Sequence, residues 1–315
     1  MRLVAAVLSL VLLGVGPVWS GELRFGNLQT PSGAVGIVAS ELKIWDKHGV
    51  AVQTLPFVAS INSRDALVGG KIDIGITAIP NFLSAAVEAD AVTIGVAVDQ
   101  CASTAVMVKP DASYRSLADL KGKRIASQTA TATYGMFVNR VLPQSGMKGA
   151  DVQLVNIRFQ DMVSALVSGS VDAVTVVDPF LSSAEQSKTA RVVTDFCAFA
   201  PVPLLLTTTQ AVLKRQGDDV AKFVRGWLEA VRFIQEQPAR AAEIYGKALG
   251  SRGYELPPEV VTNLIRRLGV TPRTITLTSI IIESMKQEAQ NMQKAGTLSR
   301  IPDWSRIVQP IGASN

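Results

Sequence analysis

The stretch Ala66–Pro80, ALVGGKIDIGITAIP, occurs a second time at Ala165–Pro179, as ALVSGSVDAVTVVDP. In each copy an apolar helix end is followed by glycine, which tolerates the left-handed backbone of a helix C-terminus, and then by a strand rich in β-branched residues. A strand that is apolar on both faces is typical of a parallel sheet covered by helices. Two copies at so long a spacing indicate two similar α/β lobes rather than a repeat array.

The segments around the two copies alternate between strand and helix patterns, which predicts parallel sheets with right-handed crossovers. The alternation breaks at 99–103, and this break and the strand pattern at 204–208 predict the two crossings between the lobes. From Asp218 onward the pattern is helical, and this C-terminal region is expected to pack on the first lobe. The predicted units are 21–101 with 204–315 as the first lobe and 102–203 as the second.

The first twenty residues have the pattern of a secretory signal. Arg2 precedes the apolar run Leu3–Val15, and Val18 and Ser20 occupy the positions that precede a cleavage site. A membrane anchor is the alternative, but the run is shorter than the about 20 residues that span a bilayer. We therefore expect residues 1–20 to be removed after Ser20 and the product to be a periplasmic monomer.

Composition excludes two classes of protein. Of the 315 residues, 48% are hydrophobic, which is enough for packed cores and excludes a disordered chain. The formal net charge is +5, but the basic residues are scattered and no basic block is interleaved with aromatics. Nucleic acid is therefore not an expected partner.

Polar loops follow the predicted strands, at the edge where ligands bind in open α/β sheets. The loop Gln128–Thr133 consists of small hydroxyl and amide residues and leads into a helix. Because the first turn of a helix has free N–H groups and a partial positive charge, an oxyanion fits there. Thr30–Gly33 and Ser60–Ser63 offer similar loops in the first lobe. These residues could instead cap their own helices, but the recurrence in both halves favours a ligand site.

Asp178 stands at the carboxyl end of a strand, where it either accepts a hydrogen bond from a ligand or caps the segment that begins at Pro179. The ligand contact and the cap are both open interpretations of Asp178. Gln100, in the first crossing, is a further ligand candidate. The candidate ligand-binding residues are Thr30, Pro31, Ser32, Ser60, Ala78, Gln100, Gln128, Thr129, Thr131, Ala132, Thr133 and Asp178.

Catalysis has little support in the sequence. His48 is the one histidine, and it lies at a predicted helix C-terminus, where a cation is favourable in any case. The motifs of serine hydrolases, phosphate loops, zinc sites and dinucleotide folds are missing from the sequence, so no cofactor and no metal are expected. Cys101 and Cys197 lie near the two crossings in an oxidising compartment. A disulfide between them is our hypothesis, and two buried thiols are the alternative.

The chain resembles the solute-binding proteins of ABC importers, in the nitrate, sulfonate and taurine group that also includes thiamine-precursor binders. Ser116–Ala126, SLADLKGKRIA, is similar to the segment that opens the second lobe in that group. Thr131–Tyr134 resembles its anion-binding turn, and Val177–Phe180 resembles its Trp-Asp-Pro-aromatic motif. The resemblance implies a two-lobed α/β fold of the type II periplasmic-binding class, with two crossover hinge strands and a helical C-terminal region.

The resemblance also implies a small-molecule ligand and an ABC permease of the inner membrane as partners. Val177 replaces the tryptophan of the group, which removes an aromatic wall and favours a sulfonate-, taurine- or nitrate-like anion or zwitterion. The alternatives are a binder of a thiamine-precursor pyrimidine, an enzyme of the pyrimidine-synthase type on the same scaffold, and a sensory ligand-binding module.

Overall fold

The computed structural model describes residues 21–129, 131–251, 253, 255–270 and 276–311. Its strands are β1 Leu23–Leu28, β2 Val52–Phe57, β3 Ile74–Ala78, β4 Ala91–Asp99, β5 Thr104–Val108, β6 Arg124–Ala126, β7 Gln153–Val155, β8 Ala173–Val177, β9 Arg191–Asp195 and β10 Pro203–Thr209. Its α-helices are α1 Ala34–Glu41, α2 Ile44–Lys47, α3 Ser60–Val68, α4 Ile79–Ala89, α5 Ala132–Met136, α6 Leu142–Gln144, α7 Phe159–Ser168, α8 Phe180–Gln186, α9 Gln210–Glu236, α10 Pro238–Gly250, α11 Pro258–Arg267, α12 Ser279–Lys294 and α13 Trp304–Ile307.

The strands form two five-stranded sheets of the same design. The first sheet has the order β2-β1-β3-β10-β4, and the second has the order β7-β6-β8-β5-β9. In each sheet four strands run in the same direction, and the fourth strand in the order, β10 or β5, runs antiparallel to both of its neighbours. The predicted repeat therefore corresponds to equivalent strands, β3 and β8, at the centres of the two sheets.

The sheets differ from the prediction in one respect, because they are mixed and not wholly parallel. The strand pattern at 204–208 predicted a crossing, whereas β10 is an internal strand of the first sheet, antiparallel to β3 and β4. The chain reaches β10 from the second sheet and enters the first sheet at the end where β3 finishes. β10 therefore runs in the direction opposite to that of β3. The crossing itself lies upstream, between β9 and β10.

The duplicated stretch has the same local contacts in both copies. Gly70 and Gly169 follow α3 and α7 with positive φ angles of 65° and 81°, a conformation that side chains disfavour. The carboxylate of Asp73 accepts hydrogen bonds from the backbone N–H and the guanidinium of Arg24. Asp172 accepts the same hydrogen bonds from Arg124.

The C-terminal helices bury their apolar faces on the first sheet, as the sequence predicts. The largest buried cluster joins α9 to β1 and α2 through four rings, those of Phe25, Trp45, Phe223 and Trp227, with centroids 5.0 to 6.0 Å apart. One of these helices, α11, also packs against α8, a helix that contacts the second sheet. There Arg267 pairs with Glu185, and its guanidinium donates to the carbonyl of Ala102.

The two crossings are joined to each other. Cys101 and Cys197 form a disulfide, one cysteine from each crossing. The carboxylate of Asp99 accepts the backbone N–H groups of Cys101 and Val202, at 3.0 and 2.8 Å. The crossings therefore form a cross-linked base between the sheets.

Among the helices of the described chain, none combines the length and the apolar character that spanning a bilayer requires.

Candidate functional site

A cavity of ≈ 440 Å³ lies between the two sheets, above the crossings. Its size is within the range of small-molecule sites. The described residues that line it are Thr30, Pro31, Ser32, Ala78, Ile79, Pro80, Val98, Asp99, Gln100, Ser103, Thr104, Thr133, Gly135, Met136, Asn139, Arg140, Val177, Asp178, Phe196, Pro201, Val202, Pro203, Leu204, Leu268, Ser284, Glu288 and Asn291.

The first sheet supplies the loop that follows β1. Thr30 and Ser32 lie around a 3₁₀ turn that begins at Pro31. The buried amide of Asn27 donates to the carbonyl of Gly33, at 3.0 Å, and holds this turn against the sheet. A Cβ atom at Gly33 would lie 1.8 Å from the carbonyl oxygen of Leu28, so the close approach requires glycine here.

Gln100 connects this loop to the crossings. Its side-chain amide donates to the hydroxyl of Ser32, and its backbone N–H donates to the carbonyl of Val202, at 2.9 Å. Ala78, at the end of β3, completes the wall on this side. Five of the predicted ligand-binding residues, namely Thr30, Pro31, Ser32, Ala78 and Gln100, thus lie together on the first-sheet side of the cavity.

The second sheet supplies Thr133 and Asp178 from the predicted set. Thr133 lies in α5, one position after the first residue of the helix. Asp178 follows β8, and its Oδ1 accepts the backbone N–H of Ser182, at 2.9 Å, so it caps the start of α8. Asp178 therefore caps α8 in the structure, and it also lines the cavity.

Two carboxyl groups of the cavity have altered acidity. Burial raises the pKa of Asp178, and the hydrogen bonds from Ser182 oppose that shift. Burial also raises the pKa of Asp99, against the hydrogen bonds from the N–H groups of Val202 and Cys101. Among the described polar atoms, Oδ2 of Asp178 is buried and has no hydrogen-bond partner.

Four of the predicted residues, Ser60, Gln128, Thr129 and Thr131, lie outside the described lining, and each makes a hydrogen bond within the protein. Ser60 accepts the side-chain amide of Asn81. The side chain of Gln128 accepts the N–H of Phe159, and the N–H of Thr129 donates to Asn156. Thr131 is the N-cap of α5: its hydroxyl accepts from Tyr134 and donates to the carbonyl of Gln128.

Of these four residues, Thr131 caps its own helix, as the capping alternative has it. The side chain of Ala132 lies outside the described residues. Of the described side chains that the sequence singled out in the polar loop of the second sheet, that of Thr133 lines the cavity.

Several lining residues were not predicted. Asn139 and Arg140 lie in the π-helical turn Phe137–Val141, which continues α5. Ser284, Glu288 and Asn291 come from one polar face of α12. The sequence shows α12 as an amphipathic helix and therefore predicts a structural role, but nothing in its pattern says that the polar face meets a cavity.

No cluster of histidine, cysteine, aspartate or glutamate suited to a metal ion occurs in the part of the chain that the structure describes. His48 is bonded to Glu229 on α9, at 2.8 Å, and neither residue lines the cavity.

Comparisons with known proteins agree with this architecture. The family described as NMT1/THI5 like matches residues 31–241. A protein of Escherichia coli (strain K12) named for binding aliphatic sulfonates is 25% identical over 313 residues, covering 97% of this chain and 95% of the relative.

Two solved structures share the fold. The periplasmic aliphatic sulphonate-binding protein SsuA from Escherichia coli has a TM-score of 0.78 and 22% identity, covering 92% of this chain and 98% of its own. The alkanesulfonate-binding protein SsuA from Xanthomonas axonopodis pv. citri, bound to MOPS, has a TM-score of 0.68 and 21% identity, covering 91% and 97%. With two α/β sheets around a shared cavity and a helical C-terminal region, this chain has the periplasmic-binding-protein fold and belongs to the NMT1/THI5-like family.

Proposed function

We propose that this chain is the substrate-binding component of an ABC importer and that it captures a small sulfonate-like anion or zwitterion between two lobes. In this proposal residues 21–101 and 204–315 form the first lobe and 102–203 the second. The observation that carries it is the shared cavity, to which Thr30 and Ser32 contribute from one sheet and Thr133 from the other.

The polar groups around the cavity suit an oxyanion. Hydroxyl groups of Thr30, Ser32 and Thr133 and the amide of Gln100 can donate hydrogen bonds to ligand oxygens. Hydrogen bonds to a charged ligand contribute more than neutral ones, on the order of 1.5–3 kcal/mol each. The predicted site residues that line the cavity thus supply enough donors to hold a sulfonate.

Aromatic stacking has less support. The aromatic residue among the described lining is Phe196, which is 1% exposed. Val177, which is aliphatic, also lines the cavity. A planar pyrimidine therefore has little ring surface to stack on, which favours a small anion over a thiamine precursor.

The mechanism follows from the two-sheet arrangement. A solute that contacts both lobes binds the closed form better than the open form, and this difference in affinity shifts the population toward closure. The closed protein is then presented to a permease in the inner membrane, after export by a signal at residues 1–20. We propose a binding role without turnover, in line with the relatives named for binding.

Isothermal titration of the purified protein with ethanesulfonate, taurine, nitrate, acetate and a hydroxymethylpyrimidine tests this function. We expect saturable binding of an anion with no chemical change of the ligand, checked by NMR of the recovered solute. A ligand at 100-fold its Kd should stabilise the protein by about 2.7 kcal/mol in thermal unfolding. Preferential binding of the pyrimidine, or conversion of any ligand, would contradict the proposal.

A further inference from the structure

The charges around the cavity are unbalanced. The described lining has three carboxyl side chains, those of Asp99, Asp178 and Glu288, and one cation, Arg140. An anion that enters this cavity meets carboxyl groups on several sides. Its binding therefore requires a compensating positive charge, and among the described lining residues Arg140 is the one that carries it.

Two of the three carboxyl groups are committed to the protein itself. Asp99 accepts backbone N–H groups from both crossings, and Asp178 caps α8. Hydrogen bonds of this kind hold the carboxyl groups against the backbone and offset part of their negative charge. Neither carboxyl is placed to neutralise the guanidinium of Arg140 through a hydrogen bond or ion pair in the structure.

The side chain of Arg140 is not held by a described residue in this way. Its guanidinium makes no hydrogen bond or ion pair with another described residue, although the residue is half-buried. Other arginines of the second sheet are paired: Arg124 binds Asp172, and Arg191 donates to the carbonyls of Ala112 and Tyr114. A half-buried cation that lines a cavity without a protein partner is available to a ligand.

The local backbone places Arg140 at the cavity. The π-helical turn Phe137–Val141 interrupts the regular helix that begins at Ala132. Such turns are rare and often occur at functional sites, because the extra residue in the turn changes the direction of the side chains that follow. Here Phe137 and Val141 point into the core, and Asn139 and Arg140 between them line the cavity.

We infer that Arg140 holds the anionic group of the solute and makes the cavity selective for anions over neutral molecules of the same shape. A guanidinium presents two parallel N–H donors to a sulfonate or carboxylate, which gives both charge and orientation. This inference rests on the proposed function and adds the residue that determines the ligand class.

A competing arrangement is an ion pair between Arg140 and Glu288 across the mouth of the cavity when the lobes close. Glu288 is half-buried on α12 and also makes no ion pair with a described residue. The two arrangements predict opposite effects for Glu288. If Arg140 binds the ligand, Glu288 only repels the anion, whereas in a cross-cavity pair it is as necessary as Arg140.

The test is titration calorimetry of the full mature protein and its variants with ethanesulfonate, taurine and nitrate, and with ethyl methyl sulfone as the neutral analogue of ethanesulfonate. Arg140→Gln should weaken each anion that the wild-type protein binds by about tenfold or more. Arg140→Lys should recover part of that loss, and Glu288→Gln should leave anion binding unchanged or tighter. Affinity for the neutral sulfone should not fall in Arg140→Gln.

Arg158→Gln is the matched control, because it removes the same charge from the proposed second lobe at a residue that is exposed, bound to Asp161 and outside the cavity. It should bind all three anions as the wild-type protein does. Far-UV circular dichroism and thermal unfolding should show that all variants are folded, since no described hydrogen bond of Arg140 is lost.

Three outcomes would overturn the inference. If Arg140→Gln bound the anions as tightly as the wild-type protein, Arg140 would not belong to the site. Binding of an anion by the wild-type protein would still support the proposed function in that case. Equal losses in Arg140→Gln and Glu288→Gln, with recovery in the Arg140→Glu, Glu288→Arg double variant, would show a cross-cavity pair. A wild-type protein that binds none of the three anions would remove both the proposed function and the role of Arg140.

Discussion

At the scale of single residues, the recurrence of Asp73 and Asp172 reflects a shared structural task. Each carboxylate accepts the backbone N–H of an arginine at the start of a neighbouring strand, at 2.9 Å, and also binds the guanidinium of that arginine. Both carboxylates are thus bonded within the protein, and neither lines the cavity. The arginine partners are far away in sequence, so their identity required the structure.

Asp73 is the more buried of the pair, with a side chain 3% exposed and a second partner in Arg215. Burial acts to raise the pKa of this carboxyl, but the hydrogen bonds and charges of Arg24, with the charge of Arg215, outweigh it and hold the pKa below its usual value. The ionised form is therefore favoured in the folded state. Its contribution to stability is present above the unfolded pKa, near about 3.9, and is lost as the pH falls through the folded value.

Asp73→Asn should lower the free energy of unfolding at pH 7 by about 1–3 kcal/mol, because a charged acceptor of several hydrogen bonds is removed. It should also make the decline of stability below about pH 4 shallower than in the wild-type protein. Urea unfolding at several pH values measures both effects. Asp46→Asn, at an exposed aspartate, is the control. An unchanged acid dependence in Asp73→Asn would contradict this assignment.

At the scale of elements, the two threonines at the start of α5 have different roles, although both belong to the same polar loop. Thr131 is the N-cap of the helix, whereas Thr133 lines the cavity two residues later. The sequence places both in an anion-binding loop, since hydroxyl groups at a helix start serve either purpose. Which hydroxyl faces the cavity depends on how the helix is oriented between the sheets.

Thr133→Ala should weaken ligand binding by about tenfold, because a hydrogen bond to a charged ligand is lost, and should change stability little. Thr131→Ala should have the opposite profile: a loss of about 1 kcal/mol of stability from the missing cap and near wild-type affinity. Titration calorimetry and thermal unfolding of the two variants provide the comparison. If Thr131→Ala alone weakened binding, the assignment of the two threonines would have to be reversed.

At the scale of the whole molecule, the crossings determine how the two sheets are connected. The disulfide between Cys101 and Cys197, the carboxylate of Asp99 and the contact of α11 with α8 all lie at or next to this base. The sequence suggests the disulfide from the position of the cysteines near the crossings. It does not suggest that α11 packs against α8. An apolar helical stripe predicts that a helix is packed, but not which element it packs against.

Replacing both cysteines, Cys101→Ser with Cys197→Ser, should lower the free energy of unfolding by about 2–4 kcal/mol, since the bridge closes a long loop and restricts the unfolded chain. The disulfide spans 96 residues of sequence. Guanidinium unfolding of the wild-type protein with and without reductant should show the same loss, and the double variant should not respond to reductant. Equal midpoints for the oxidised wild-type protein and the variant would contradict a stabilising bridge.

The local features could be predicted from the chain alone: strands rich in β-branched residues that alternate with helices ended by glycine, the repeated stretch at Ala66–Pro80 and Ala165–Pro179, and the polar loops after the strands. These depend on backbone propensities and on contacts within a few residues. Three features required the folded structure: β10 runs antiparallel inside the first sheet, Thr133 and not Thr131 lines the cavity, and Arg140 also lines it. Each of these depends on the direction in which distant segments approach one another, and such long-range packing leaves no periodic signal in the chain.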